Sequence, residues 1–431
     1  MYEKKDNETG NRRPQRADRK CKNMLLTFYL TFGALGPRLG EIMSRGIDKW
    51  VSLLDRLLVY LEAPYAARSL IIDGVCAGVG SVLSFIPVIG VLFFCLSALE
   101  ETGYLDMLAR IADRFLRRLG IPGQIMVPLI MGFGCSVPAI LAAGEINDAR
   151  ARNLALALIP FMSCSAKLPL YGMMTSVFFP EKAGLVTCSL YIIGIVLAVI
   201  VSVFFGKLMP VSSGWESTCR PPRYGFRLPD IKRVVSCMWE NICGFFRKAF
   251  TVILAASVII WFLENYGIGF APAESPDESL LAAAGRLVAP VFAPLGFGDW
   301  RAAAALITGL SAKEAVVSTL TVMAEGVSGV SVVSVVSGVS GVSGVSGVSG
   351  GGSTGIGLPI MLAQIFTPLS AFSFLVFCLL YAPCAASMAA MAKTSGSIKH
   401  AFFTFVFQTA LAWLAAFITY NTGQILNCFI Y

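Results

Sequence analysis

Residues 132–140 read GFGCSVPAI, inside a stretch whose other residues are apolar enough for lipid. Gly132, Gly134 and Pro138 each weaken a helix, and Pro138 removes the amide that would bond the Gly134 carbonyl. A helix broken at membrane depth frees carbonyls, which must face protein or a water-filled cavity. Cys135 sits at that break, so a thiol lies beside free carbonyl oxygens. Such a donor set suits a borderline or soft cation.

Only 14% of the 431 residues are charged, 56% are hydrophobic and the mean hydropathy is +0.72. Soluble domains carry roughly 25% charged residues, so this composition belongs to the membrane class. Stretches 184–209, 249–263 with its flanks, and 401–419 satisfy the ~18 apolar residues of a bilayer span. Stretches 70–99, 124–143, 153–179, 302–324 and 358–392 are apolar but interrupted, and 24–36 is short. The expectation is an all-α polytopic membrane protein with about eight or nine membrane segments.

Charge is concentrated. Of the net +8, residues 1–22 hold eight Lys or Arg and 220–233 hold five more. In a polytopic chain such clusters read as cytoplasmic anchors under the positive-inside rule, not as a nucleic-acid surface. The twelve cysteines form no CxxC pair, and His400 is the single histidine, which excludes a disulfide scaffold and a typical zinc cluster. No GxxxxGK[ST] occurs, so no P-loop is recognisable, and no Ser/His/Asp arrangement is possible around the single histidine, so no enzyme is expected.

The expected organisation follows from composition. A basic tail (1–22) precedes a first membrane group (23–209), and a basic cytoplasmic connection (210–246) follows it. A second group spans 247–325 and 354–431, split by a Val-Ser-Gly loop at 326–353. The two groups resemble each other. In the first, GFGCSVPAI is followed by IPFMSCSAKLPLYGMM; in the second, TGLSAKEAVVS (308–318) is followed by LLYAPCAASMAAM (379–391). Paired, broken apolar segments in corresponding positions of two halves point to a transporter's substrate site. Charge topology agrees. If 124–143 and 302–324 are re-entrant or broken, the basic 220–233 connection, Lys393 and Lys399 fall inside and the acidic 264–299 stretch outside.

Three cysteines lie beside prolines in these interrupted segments: Cys135, Cys164 (flanked by Ser163 and Ser165) and Cys384. Cys76, Cys95, Cys188 and Cys378 lack that setting and read as packing residues. Charges within apolar segments are costly and therefore informative. Lys167 is placed to satisfy broken-helix carbonyls or to snorkel. Adjacent Lys313 and Glu314 would point about 100° apart on a helix, so each needs its own partner. Glu100 and Glu101 end an apolar run, as interfacial charges or as a cation attractor. Met131 and Met162 lie near the candidate thiols, where methionine more often fills core.

At these residues the sequence resembles the membrane domain of the bacterial ferrous iron transporter B family. The matching stretches are GVGSVLSFIPVIGVLFFCLSALEETGY, GFGCSVPAI, IPFMSCSAKLPLYGMM, LGFGDWRAAAALITGLSAKEAVVSTL and LLYAPCAASMAAMAKTSGS, in order across roughly 70–420. The resemblance implies two gate-type repeats and import of Fe²⁺, the transported substrate, across the inner membrane. It places Cys135, Cys164 and Cys384 at the family's iron-pathway thiols, with Ser163, Ser165 and the Gly134 carbonyl as nearby oxygen ligands. The family's N-terminal GTP-binding domain has no counterpart here, so no GTP site is expected on this chain. A truncated chain, a separate G-domain subunit and GTP-independent action all stay open.

The expectation is therefore a multi-pass permease core in contact with membrane lipids. A separate G-domain or small accessory subunit, and a homo-oligomer, are open partners; nucleic acid is not expected. Two rivals remain: a gate-type transporter of another small substrate such as a nucleoside, and a non-transporting membrane subunit.

Overall fold

The computed structural model describes residues 36–62, 64–76, 122–208, 231–267, 275–328 and 354–430, with parts of 78–98 and 268–274. The basic tail, most of the 24–36 segment, Glu100 and Glu101, the connection at 209–230 and the Val-Ser-Gly stretch beyond Ser328 lie outside the described residues.

The fold is all-α; among the described residues no strand forms beyond two isolated bridges, Tyr266 with Pro272 and Gly267 with Ser279. The described residues begin with α1 (Gly36–Tyr60) and α2 (Tyr65–Ser69). The first half continues through α3 (Met126–Gly134), α4 (Ser136–Gly144), α5 (Ala149–Leu158), α6 (Leu168–Phe178) and α7 (Ala183–Leu208). The second half comprises α8 (Ile231–Asn265), α9 (Leu280–Phe292), α10 (Trp300–Thr308), α11 (Ala315–Ser328), α12 (Thr354–Ile365), α13 (Pro368–Leu380), α14 (Ala385–Ser395) and α15 (Ile398–Ile430).

Among the described residues four helical stretches are long and apolar enough to cross a membrane: 149–178, 180–205, 368–395 and 398–425. A fifth is available if α9 and α10, bent by 107°, count as one span. Gly296 makes that bend possible: its φ of +86° is left-handed, and a Cβ there would strike the Tyr420 ring. Helix α9 lies inside 264–299, the stretch that the charge pattern puts outside. Its sequence, LLAAAGRLVAPVF, carries one charge, Arg286, and buries Leu281, Ala282, Ala289 and Phe292.

Ordinary helix starts here use the expected oxygen caps. Asp148 accepts from the Arg150 amide (3.0 Å), Asp299 from the Arg301 amide (2.7 Å) and Ser279 from the Ala282 amide (3.1 Å). Thr367 and Ser370 form a reciprocal capping box at the start of α13.

The two halves interlock. Helix α4 of the first half packs on α14 of the second, and α11 of the second packs on α6 of the first. An aromatic cluster seats the α9–α10 bend against α13: Phe297 lies 5.2 Å from Phe374 and 5.5 Å from Phe292, and Phe292 lies 5.2 Å from Phe377. Both buried clusters draw residues from the two halves.

Candidate functional site

Four backbone breaks interrupt the membrane helices. The first is the single residue Cys135, extended at φ −151°, ψ 134°, between α3 and α4. The second, ending in Cys164, separates the turn after α5 from the Ser165–Lys167 turn that leads into α6. The third lies at 309–314, between α10 and α11, and the fourth at 381–384, between α13 and α14. Three of them thus end in a cysteine at a helix N-cap: Cys135 for α4, Cys164 for the Ser165–Lys167 turn, and Cys384 for α14.

None of these thiols makes a side-chain capping hydrogen bond. A Ser, Thr or Asp in the same place would stabilise its helix by about 1 kcal/mol more, so the local structure does not account for the thiols.

Prolines determine how the breaks are tied together. Pro138 and Pro383 stand four residues after Gly134 and Leu379, so neither carbonyl has its intrahelical donor. One short turn repairs both. Ser165 Oγ donates to the Gly134 carbonyl at 2.9 Å, and Lys167 Nζ donates to the Leu379 carbonyl at 2.6 Å. The Lys167 ammonium, 4% exposed, thereby crosses from the first half to the second. The tripeptide Ser-Ala-Lys recurs at 311–313, and Lys313 reaches the same fourth break, donating to the Ala382 carbonyl at 2.6 Å. Its ammonium lies 3.1 Å from the centroid of the Tyr381 ring. The Ala385 amide donates to the Leu310 carbonyl at 2.8 Å, closing the third break onto the fourth.

Cys135 lies within electrostatic reach of Cys164, Cys384 and Glu314. All three candidate thiols are partly buried and unoxidised. Among the described residues no group of three or more His, Cys, Asp and Glu is close enough to hold a metal together, so the three thiols do not form a closed site. Cys384 Sγ contacts Ser387 Oγ at 3.2 Å. Ser163 is buried, sharing a 3.0 Å hydrogen bond with the Tyr171 hydroxyl. Met162 is buried against Gly132, where it packs the second break on the first. Among the described ion pairs none involves Glu314 or Lys313, so these neighbours do not pair with each other.

Sequence reasoning missed Tyr381. Its ring carries the Lys313 ammonium, and its hydroxyl is buried without a hydrogen-bond partner. The signal was its place directly before Ala-Pro-Cys, the broken segment already singled out.

A family model described as "Gate: Nucleoside recognition" matches residues 82–178 and 246–398, more than half of the chain. The chain is 35% identical over 406 residues to the Fe(2+) transporter FeoB of Staphylococcus aureus, covering 93% of this chain and 56% of that protein. It is 34% identical over 408 residues to the Fe(2+) transporter FeoB of Methanocaldococcus jannaschii, with the same coverage. It is also 34% identical over 432 residues to an Fe(2+) transport protein A/Fe(2+) transporter FeoB fusion protein of Porphyromonas gingivalis, of which it covers 49%. The chain thus spans about half the length of these curated relatives. No solved structure matches. All four backbone breaks fall within the two segments that the family model covers, and the chain belongs to the Gate family.

Proposed function

We propose that this chain carries Fe²⁺ across the bacterial inner membrane along a path lined by Cys135, Cys164 and Cys384. The observation that carries the reading is the placement of Cys135: an N-cap thiol at a proline-made break, within electrostatic reach of Cys164, Cys384 and Glu314. The names of the relatives support iron as cargo. Thiolates hold Fe²⁺ weakly by hard–soft preference, and weak, distributed ligation suits an ion that must leave again. Ser163, Ser165 and the Gly134 carbonyl supply oxygen near the thiols. Gly134 keeps a second lone pair after accepting from Ser165. Lys167 acts as the structural tie between halves, Met162 as packing and Glu314 as a supporting carboxylate within electrostatic reach of Cys135.

The fusion seen in one relative supports an accessory subunit as partner. Anaerobic proteoliposomes containing this chain test the reading. Fe²⁺ uptake is expected for the wild type, to fall at least tenfold in Cys135→Ser and to persist in Cys188→Ser, whose thiol is exposed on α7. Equal uptake by Cys135→Ser and the wild type would sink the cysteine path. A second reading, a nucleoside as cargo, draws on the description of the matching family model. It requires uptake of a labelled nucleoside that is indifferent to all three thiols.

A further inference from the structure

The proline at 383 explains why Lys167 must reach the Leu379 carbonyl, but nothing of that kind explains Lys313. The Ala382 carbonyl that it bonds lies in the extended 381–384 segment, not in a helix robbed of its donor. Lys313 is 6% exposed, and among the described ion pairs no carboxylate partners it. A compact ammonium takes the positions that a metal cation takes, carbonyl oxygen and the face of an aromatic ring. Lys313 has both, at 2.6 and 3.1 Å. A further oxygen waits at the same place. The Tyr381 hydroxyl is buried, has no hydrogen-bond partner and abuts Gly309 of the third break. The charged and titratable groups within electrostatic reach of Lys313 are Lys167, Cys164, Cys378 and Cys384, which include two of the three path thiols. The third break is also the one that presents no cysteine.

We propose that Lys313 is a tethered cation that competes with the transported divalent metal for the Ala382 carbonyl and the Tyr381 side chain, and so keeps metal binding weak enough for release. The inference rests on the transport reading above and deepens it. A metal arriving at Cys384 displaces the ammonium from the Ala382 carbonyl, and the ammonium returns as the metal leaves. No covalent bond forms or breaks.

The test uses the full chain in lipid vesicles, with Mn²⁺ as the binding probe and Fe²⁺ as the transported ion. Lys313→Met is expected to bind Mn²⁺ about tenfold more tightly than the wild type while its Fe²⁺ turnover falls, because release becomes slow. Lys313→Arg keeps a charge at the site and is expected to stay near wild-type affinity. Affinity in Lys313→Met that is unchanged or weaker would overturn the proposal, since a merely structural lysine predicts lost stability without tighter binding. If Lys313→Met does not fold, acetylation of Lys313 by a membrane-permeant anhydride is read in the wild type by mass spectrometry. Labelling should rise several-fold when Mn²⁺ is present; equal labelling overturns the proposal. Wild-type protein that neither binds Mn²⁺ nor moves Fe²⁺ overturns the transport reading and this inference together. Wild-type transport with Lys313 indifferent to metal overturns the inference alone.

Discussion

Gly309 shows how much a single residue holds at the third break. A Cβ there would collide with the Tyr381 hydroxyl and a Val316 methyl group, so the α10 terminus approaches the fourth break only because the side chain is absent. Gly309→Ala is expected to cost about 1–3 kcal/mol through overpacking and to push Tyr381 out from beneath Lys313. Thermal unfolding in detergent reads the loss, and Gly309→Ala combined with Tyr381→Phe should recover part of it. Unchanged stability in the single variant would contradict the close approach. At this scale the sequence was legible where chemistry breaks a helix. Gly134, Cys135, Pro138 and Pro383 declare their breaks by residue type. Tyr381 was not legible, because an aromatic residue in an apolar run looks like core until its ring is found under an ammonium.

Among the elements, α1 behaves differently from the membrane helices. Leu39, Ile42, Trp50, Leu53 and Leu57 form an exposed apolar strip, beside a polar side carrying Glu41, Arg45 and Lys49. The 18-residue segments within it are not apolar enough to span a bilayer. It is fastened to α2 by a bidentate ion pair, Arg68 to the two carboxylate oxygens of Asp55 at 2.6 and 2.8 Å. The hydrogen bonds from Arg68, more than its charge, hold the Asp55 carboxyl below its usual range. A carboxylate with a lowered folded-state pKa stabilises fully above its ordinary value of about 4 and loses that contribution as pH falls through the lowered value. The unfolding midpoint should therefore drop as pH falls below about 4 and through that lowered value, and Asp55→Asn should flatten part of that drop while lowering stability at neutral pH. Because both side chains are about a third exposed, the effect is small. An Asp55→Asn protein with the wild type's full acid dependence would remove the ion pair as its cause. Helix α9 was not legible in the sequence, because acidic neighbours and Pro290 give a packed apolar helix a loop-like composition.

For the molecule as a whole, the decisive feature is that each half completes the other. Helix α4 rests on α14 and α6 on α11, and Lys167 reaches across to a carbonyl 212 residues away. Lys167→Met leaves the Leu379 carbonyl buried without a donor, at an expected cost of about 1–3 kcal/mol. Because the bond joins the halves, the loss should also separate their unfolding. Proteolysis of partly unfolded protein is expected to release a resistant fragment from one half alone, where the wild type yields cooperative cleavage. Cleavage patterns identical to wild type would show that packing alone unites the halves.

The amino-acid sequence by itself determined the solvent, the helical class and the segments in which the four breaks fall. Each follows from local chemistry: low charge, long apolar runs, and glycine and proline beside cysteine. It also carried the repeat of Ser-Ala-Lys, without revealing what either lysine was for. Only the tertiary structure decided the partners. Hydrogen bonds from Ser165 to Gly134, Lys167 to Leu379 and Lys313 to Ala382 join residues 31, 212 and 69 positions apart. A carbonyl's need for a donor is visible in the sequence wherever a proline removes one. Which distant side chain supplies it depends on how the helices pack, and that is a property of the assembled fold.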